Sequence, residues 1–305
     1  MTLLITGGSG MLGTAICDLL SEKNSDFVAP SRDEIDLTQI NQVSNYLNEN
    51  NITKVIHCAA LVGGIKANLE RPADFLVENL LIDSCLFKAV TQSEVNEVLY
   101  MSSSCAYPLT ASQPLRESDI DYGDFEATNR SYAIAKVTAM ETIKKLNKQY
   151  NLNFRTLILS NLYGPNDDFT SENSHLVSAT LRKCHDAKLN SLPSVVIWGH
   201  GEAKREFTYV YDVAEWIVSK KSDINSLPQS LNIGSGIELT VNEYYEIAAK
   251  VVGFSGTFEH DSKKPDGIPR KILDSSIARN LYGWNPKTSI YEGMSKTYQE
   301  MLKVN

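Results

Sequence analysis

Leu3-Leu4-Ile5-Thr6 runs directly into Gly7-Gly8-Ser9-Gly10-Met11-Leu12-Gly13, and this junction decides how the chain is read. The first four residues form a short apolar run of the length of a buried strand. Behind the glycines, Thr14-Ala15-Ile16-Cys17-Asp18-Leu19-Leu20 reads as a helix. Glycine at 7, 10 and 13, between a strand and a helix, suits a dinucleotide pyrophosphate. The spacing allows a tight turn, close backbone approach and close helix packing, while the helix N-terminus attracts the anion. Standing at the first strand makes the pattern specific. Further strand-like runs at 27–30, 54–60, 98–101 and 154–160 alternate with helical stretches, which implies a parallel sheet. The expected class is therefore α/β, a doubly wound parallel sheet of the Rossmann type with a smaller C-terminal lobe closing over its ligand edge. Residues 1–165 are assigned to the cofactor domain, with 195–217 and 231–236 returning to it. Residues 166–305 are assigned mainly to a substrate lobe.

Composition narrows the function classes. The chain has 305 residues, 42% hydrophobic and 22% charged, an ordinary globular balance with ample core. A net charge of −8 argues against nucleic-acid partners, which call for a basic footprint. Apolar runs are too short to cross a membrane. The N-terminus lacks a basic leader, so a cytoplasmic protein is expected. Cys17, Cys58, Cys85, Cys105 and Cys184 are scattered and odd in number, which fits a reducing compartment and argues against a structural metal site.

The chemistry-bearing residues gather at strand ends. Ser131-Tyr132-Ala133-Ile134-Ala135-Lys136 puts Tyr132 and Lys136 one turn apart on one helix face. A free phenol ionises near ~10, and a neighbouring ammonium is expected to lower that value, letting Tyr132 exchange a proton with a carbonyl or alcohol oxygen. Ser103 ends the strand at 98–101 and could hydrogen-bond the same oxygen. Cys105, two residues on, would face the same cleft in strand-like geometry, with a small buried hydrophobe as the plainer alternative. Gly63-Gly64, after Val62, lets a ligand approach the backbone at the sheet's carboxyl edge. After the strand at 27–30 no acid follows directly, and Ser31-Arg32 could hold a ribose phosphate. Asp36 or Thr38 is expected near the cap of the next helix. His57 is read as packed core and Asn79 as a buttress of the sheet.

Together, the glycine turn, the strand-end serine and Tyr-x-x-x-Lys resemble the extended short-chain dehydrogenase/reductase family over nearly the whole chain. Within it, the stretches Val62-Gly63-Gly64-Ile65, Ser103-Ser104-Cys105-Ala106-Tyr107-Pro108, Glu126-Ala127-Thr128-Asn129, Asn161-Leu162-Tyr163-Gly164-Pro165-Asn166-Asp167, Ser174-His175, Arg205-Glu206-Phe207 and Lys264-Pro265-Asp266-Gly267 are similar to the branch that epimerises and reduces GDP-4-keto-6-deoxy sugars. The resemblance implies NADP(H) as cofactor, Ser103, Tyr132 and Lys136 as the reductase triad, and Cys105 with His175 as the epimerising acid–base pair. It implies cofactor contacts at Gly7, Gly10, Met11, Leu12, Gly13, Arg32, Asp36, Ala59, Ala60, Asn161, Leu162 and His175, besides Tyr132 and Lys136. Substrate contacts are implied at Val62, Gly63, Gly64, Asn161, Lys183, Trp198, Arg205, Arg270 and Lys271, the basic ones near the GDP end. A homodimer paired through two helices, at 76–90 and 132–146, is implied as well. Ser9 departs from an arginine frequent in the family's glycine loop, so more of the NADP preference falls on Arg32. A dehydratase would need a carboxylate pair where Ser104-Cys105-Ala106 stands. A reductase that does not epimerise, acting on a related heptose or dideoxy sugar, stays open, as does a cofactor-binding regulatory protein, against which the intact triad argues.

Overall fold

The computed structural model describes residues 2–170, 174–264 and 266–304. Residues 171–173 of the polar loop and Pro265 of the Lys264–Gly267 motif lie outside the described residues. Five strands form the main sheet: β1 (Thr2–Thr6), β2 (Ile52–His57), β3 (Glu97–Ser103), β4 (Asn153–Leu159) and a later strand, Ser230–Ile233. They stand in that spatial order, and every pairing is parallel. Helices cover both faces. Met11–Glu22 (α1) packs against Val210–Lys220 on one side, while Ile40–Glu49 (α2), Pro72–Val90 and Arg130–Tyr150 pack on the other. Buried both ways, the strands carry almost unbroken apolar runs such as Leu3-Leu4-Ile5 and Val98-Leu99-Tyr100-Met101, whose side chains feed two separate cores. The doubly wound sheet expected from the sequence is the one observed.

The strand expected at 27–30 shrinks to one bridge. Ile5 donates its N–H to the Val28 carbonyl at 2.8 Å, and Val28 donates to Leu3 at 2.9 Å, but the ladder goes no further. Pro30 has no N–H to give and restricts the residue before it. The helix expected from residue 36 starts at Ile40. Asp36 Oδ1 accepts instead from the Thr38 N–H at 2.9 Å and the Thr38 hydroxyl at 2.7 Å, a local turn that competes with helix.

Beyond β4 the chain builds the second body. Asn161–Tyr163 (β5) leaves the main sheet and pairs with Lys204–Tyr209 (β7), which also pairs with Arg270–Lys271 and, antiparallel, with Glu238–Thr240. Ser194–Trp198 (β6) pairs with Thr257–Asp261 in a two-stranded sheet. Of the stretch 195–217, then, both strands stand in the smaller sheets, and only the helix after Tyr209 packs against the main one. The sequence of β6 fits that place: Val195 and Ile197 are buried while Val196 and Trp198 face out, a one-sided strand. The third core lies under these sheets, around Tyr163, Leu181, Phe207, Tyr244 and Met294, beneath the helices Leu176–Leu189 (α6), Val241–Val252 and Ile290–Val304. No helix among the described residues is long and apolar enough to cross a membrane.

Candidate active site

The turn after β1 is built for close approach. Gly7 has φ +68°, and a Cβ there would lie 2.7 Å from the Ala59 backbone. A Cβ on Gly13 would fall 2.0 Å from the Gly7 carbonyl, so α1 rests directly on the turn. Gly10 donates to Gly7 at 3.0 Å and caps α1 without a side-chain hydrogen bond, and the first N–H groups of a helix, here from Met11 and Leu12, need partners from outside it. Ala59, two residues past the end of β2, forms the opposite wall, and Ala60 beside it is half-buried. This cradle fits a dinucleotide pyrophosphate. Arg32 is exposed beyond Val28. No acid directly follows residues 27–30, yet Glu34 reaches back to accept the Ser31 N–H at 2.7 Å. The Ser-x-x-Glu spacing was the available signal.

Tyr132 and Lys136 do not meet as expected. The Lys136 ammonium sits 5.6 Å from the centre of the Tyr132 ring and 4.5 Å from that of Tyr100. Its hydrogen bonds go to the Tyr100 hydroxyl and the Met101 carbonyl, both at 3.0 Å. Burial pushes the Tyr132 phenol well above its ordinary value, and Cys105 and Asp83 add to the shift. The expectation that Lys136 lowers it is therefore corrected: desolvation wins over a cation whose hydrogen bonds are spent elsewhere. Burial also pulls Lys136 down from its usual value, against Asp83 and Cys58.

Ser103 closes β3, and its Oγ accepts from the Cys105 N–H at 3.2 Å. That bond bends the chain into a single 3₁₀ turn, Ser104–Ala106, so Cys105 leaves strand geometry but remains beside Ser103. Asn129 Nδ2 donates to the Cys105 sulfur at 3.1 Å, and Lys271 Nζ stands 3.7 Å from it and 3.8 Å from Glu126. Lys271, assigned by resemblance to the GDP end, is thus a neighbour of the thiol. Asn129 and Glu126, the two ends of the Glu126–Asn129 stretch, thus frame the thiol and its lysine. Gly63 and Gly64 are held by Asn68, whose Nδ2 donates to both carbonyls at 2.9 and 3.1 Å. The short helix after them, Ile65–Glu70, packs on the turn carrying Asn129. Val62 is exposed beside it. Asn79 supports the preceding loop through the Leu61 N–H and carbonyl.

His175 is the residue before α6, and its Nδ1 lies 3.4 Å from Asp167. Burial disfavours its charged form, but the hydrogen bond and charge of Asp167, with Asp168, raise it overall. Ser178 also donates to Asp167, fixing the carboxylate. On the lobe, Lys183 bonds the Val196 carbonyl at 3.2 Å and the Tyr245 hydroxyl at 3.1 Å, and lies 5.5 Å from the ring centre of Trp198. Trp198 is 53% exposed, a flat apolar face framed by Lys183 and by Lys264 at 5.1 Å. Arg205, across from Lys271 in the strand pairing, donates to Ile268 at 2.7 Å. Arg270 turns to the other side and is clamped by Glu238 at 2.9 and 2.7 Å. Asn161 reaches the Glu206 carbonyl at 3.2 Å, and Leu162 joins the core around α1.

Residues 3–234 match the model of the NAD dependent epimerase/dehydratase family. A GDP-L-colitose synthase from Yersinia pseudotuberculosis is 37% identical over 303 residues, covering 99% of this chain and 98% of that protein. A GDP-L-fucose synthase from Escherichia coli strain K12 is 38% identical over 308 residues, covering 98% and 96%. Among solved structures, a GDP-mannoheptose C4 reductase from Campylobacter jejuni with NADP bound superimposes with a TM-score of 0.88 at 29% identity, covering 99% of this chain and 98% of that one.

Proposed function

This chain belongs to the NAD dependent epimerase/dehydratase family, and from that premise we propose that it is an NADPH-dependent epimerase-reductase acting on a GDP-4-keto-6-deoxy sugar, in the manner of a GDP-L-fucose synthase. The observation that carries the reading is the convergence of Ser103, Cys105, Tyr132 and Lys271 at the carboxyl end of β3, beside a glycine cradle shaped for a dinucleotide.

A ketone at carbon 4 acidifies the hydrogens on carbons 3 and 5, and inversion at either needs a base on one face and an acid on the other. Cys105 is the base, its sulfur held by Asn129 Nδ2 at 3.1 Å and Lys271 Nζ at 3.7 Å. His175 is the acid, kept protonated nearer neutrality by Asp167. Ser103 and Tyr132 hold the oxygen at carbon 4, where charge builds as the hydrogen is lost. Bound NADPH would supply hydride to carbon 4. Tyr132 then donates its proton to the oxygen; a phenol that burial keeps protonated is suited to act as the acid in this direction. Lys136 fixes the positive charge beneath that step. Arg32 favours a phosphate on the cofactor ribose, against the nearby Glu34. Lys183, Trp198 and Arg205 offer cations and an aromatic face to the diphosphate and base. In the second reading, which the similarity to a C4 reductase favours, the same groups reduce a related GDP-4-keto sugar such as a heptose or dideoxy sugar without inverting it.

The test is oxidation of NADPH by freshly made GDP-4-keto-6-deoxymannose, with product stereochemistry read by NMR. Inversion at carbons 3 and 5 supports the main reading; reduction with both centres retained supports the second; cofactor binding without turnover of any GDP-4-keto sugar would return the chain to a regulatory role. The protein is further proposed to act in the cytoplasm as a homodimer. Val77 and Leu81, four apart on the helix Pro72–Val90, are 50% and 41% exposed and would be covered by an isologous pairing of that helix and Arg130–Tyr150. Light scattering that gives a monomer at micromolar concentration overturns the dimer.

A further inference from the structure

A chain of side-chain hydrogen bonds runs through the main sheet beneath the candidate site. Thr6 Oγ1 lies 2.6 Å from His57 Nδ1, and His57 Nε2 lies 3.0 Å from Asp83 Oδ1. Tyr100 donates its hydroxyl to Asp83 Oδ2 at 2.8 Å, and Lys136 donates to the Tyr100 oxygen at 3.0 Å. The five residues come from β1, β2, the helix Pro72–Val90, β3 and the helix Arg130–Tyr150, and none is more than 3% exposed. Such a set is costly to bury unless every member is satisfied.

Here the directions agree. Asp83 accepts on both oxygens. With its proton on Nε2, His57 donates to Asp83 and accepts from Thr6, whose oxygen in turn receives the Ala59 N–H at 3.4 Å. Tyr100 donates once and accepts once. An ammonium has three N–H donors, and Lys136 directs two of them at Tyr100 and the Met101 carbonyl. That leaves one donor, and the ammonium stands 5.6 Å from the centre of the Tyr132 ring.

We propose that Asp83 and Tyr100 are positioning residues for the reduction step, holding Lys136 through this chain in the one orientation that serves Tyr132 and the cofactor. The inference rests on the proposed reductase reading. Two features support it beyond simple packing. Asp83 is a buried carboxylate placed two hydrogen bonds from a buried ammonium, so the counter-charge reaches Lys136 through the Tyr100 hydroxyl rather than by direct pairing, which would consume the donor needed in the cleft. The far end of the chain, Thr6, precedes Gly7, so the cofactor turn and the lysine are fastened to the same carboxylate.

The experiment uses Tyr100→Phe, which removes one oxygen from an otherwise unchanged ring, with Asp83→Asn as the second variant. Steady-state reduction of the GDP-4-keto sugar is measured together with NADPH affinity and the isotope effect from NADPH deuterated at the transferred position. Misplacing a catalytic group by about 1 Å can cost about 10²-fold. The expected result is kcat lower by about 10- to 10²-fold in both variants and a larger isotope effect, because the chemical step becomes limiting, with any loss of NADPH affinity smaller than the loss of kcat. A merely structural role would lower the fraction folded without changing the isotope effect per active site. The lysine side-chain NMR signals of the protein labelled at Cε and Nζ give a readout that needs no substrate: the Lys136 signal should move in both variants. Unchanged kcat and isotope effect, or a Lys136 signal that stays put, would overturn the proposal. Should the wild type turn over no GDP-4-keto sugar, the reductase reading fails, while the Lys136 signal still decides whether the chain holds the lysine.

Discussion

The two halves of the candidate site are built on different foundations. Ser103, Tyr132 and Lys136 stand on the long central strand β3 and on the helix Arg130–Tyr150, over a fully bonded polar chain, and Lys136 is 2% exposed. Cys105 and His175 stand on a single 3₁₀ turn and at the mouth of a helix, partly exposed, and each takes its setting from residues on other segments: Asn129 and Lys271 for the thiol, Asp167 for the imidazole. Reduction of a ketone needs the same geometry whatever sugar carries it. Inversion depends on which carbons are to be inverted and on the shape of the ring. On the proposed function, a well-braced reductive half beside an epimerising half held by separate segments would let one scaffold take different keto sugars.

The hardest blow to the reductive half is Tyr132→Phe. Removing the hydroxyl should lower ketone reduction by about 10²- to 10⁴-fold, the usual span of general acid catalysis, while NADPH still binds. Near-normal turnover would sink the assignment of Tyr132 and with it the contrast between the halves.

The epimerising half is tested in deuterated water without NADPH. Wild-type protein should wash deuterium into carbons 3 and 5 of the keto sugar. Cys105→Ser replaces a thiol by a far weaker acid that fails as a base, and His175→Asn cannot titrate. Each should lose exchange by about 10²-fold or more while still reducing a ketone that needs no inversion. A wild type that reduces without any exchange would demote Cys105 to pocket wall and His175 to a hydrogen-bonding residue, and would favour the reductase-only reading.

Outside both halves lies Arg32, proposed to meet the cofactor's ribose. Arg32→Ala should weaken NADPH binding by about 10- to 100-fold, the worth of a charge-assisted hydrogen bond, with little change for NADH. Glu34, held on the Ser31 N–H, sharpens this: Glu34→Gln should strengthen NADPH binding by relieving repulsion of a phosphate. A wild type that already prefers NADH overturns the NADP assignment.

These contrasts were legible in the sequence to different depths. The glycine turn and the apolar strands could be read locally, because their spacing and composition state their environment directly. So could the candidate residues themselves, which sit in compact motifs. What could not be read was which partner each would find. Lys136 lies one helical turn from Tyr132, but its direction is set by Tyr100 and Met101, on a strand 35 residues away in sequence. Arg270 and Lys271 are adjacent, yet strand alternation sends one to Glu238 and the other to Cys105. Val28 keeps one bridge instead of a strand because of Pro30, a breaker visible in the sequence.

The weakest expected effect falls on stability, at the joint between the main sheet and the second body. Glu206 on β7 is 1% exposed and accepts the Gly236 N–H at 2.6 Å and the Leu273 N–H at 2.9 Å, tying β7 to the exit of strand Ser230–Ile233 and to the segment that follows Lys271. Burial raises its carboxyl to about 7, despite those two donors and Arg279, which favour the charged form. In the unfolded chain the group titrates near ~4.3. Between these values the folded state binds the extra proton, so the contribution is complete below about pH 4 and is lost as pH rises through about 7. Thermal melts should therefore show stability falling across that window, and the slope should flatten in Glu206→Gln. The amide matches only one of the two backbone donors, so the variant should start less stable in acid and converge on the wild type above neutrality. A wild-type slope that the substitution leaves intact would assign the pH dependence to other groups and leave Glu206 as an ionised tie between the two bodies.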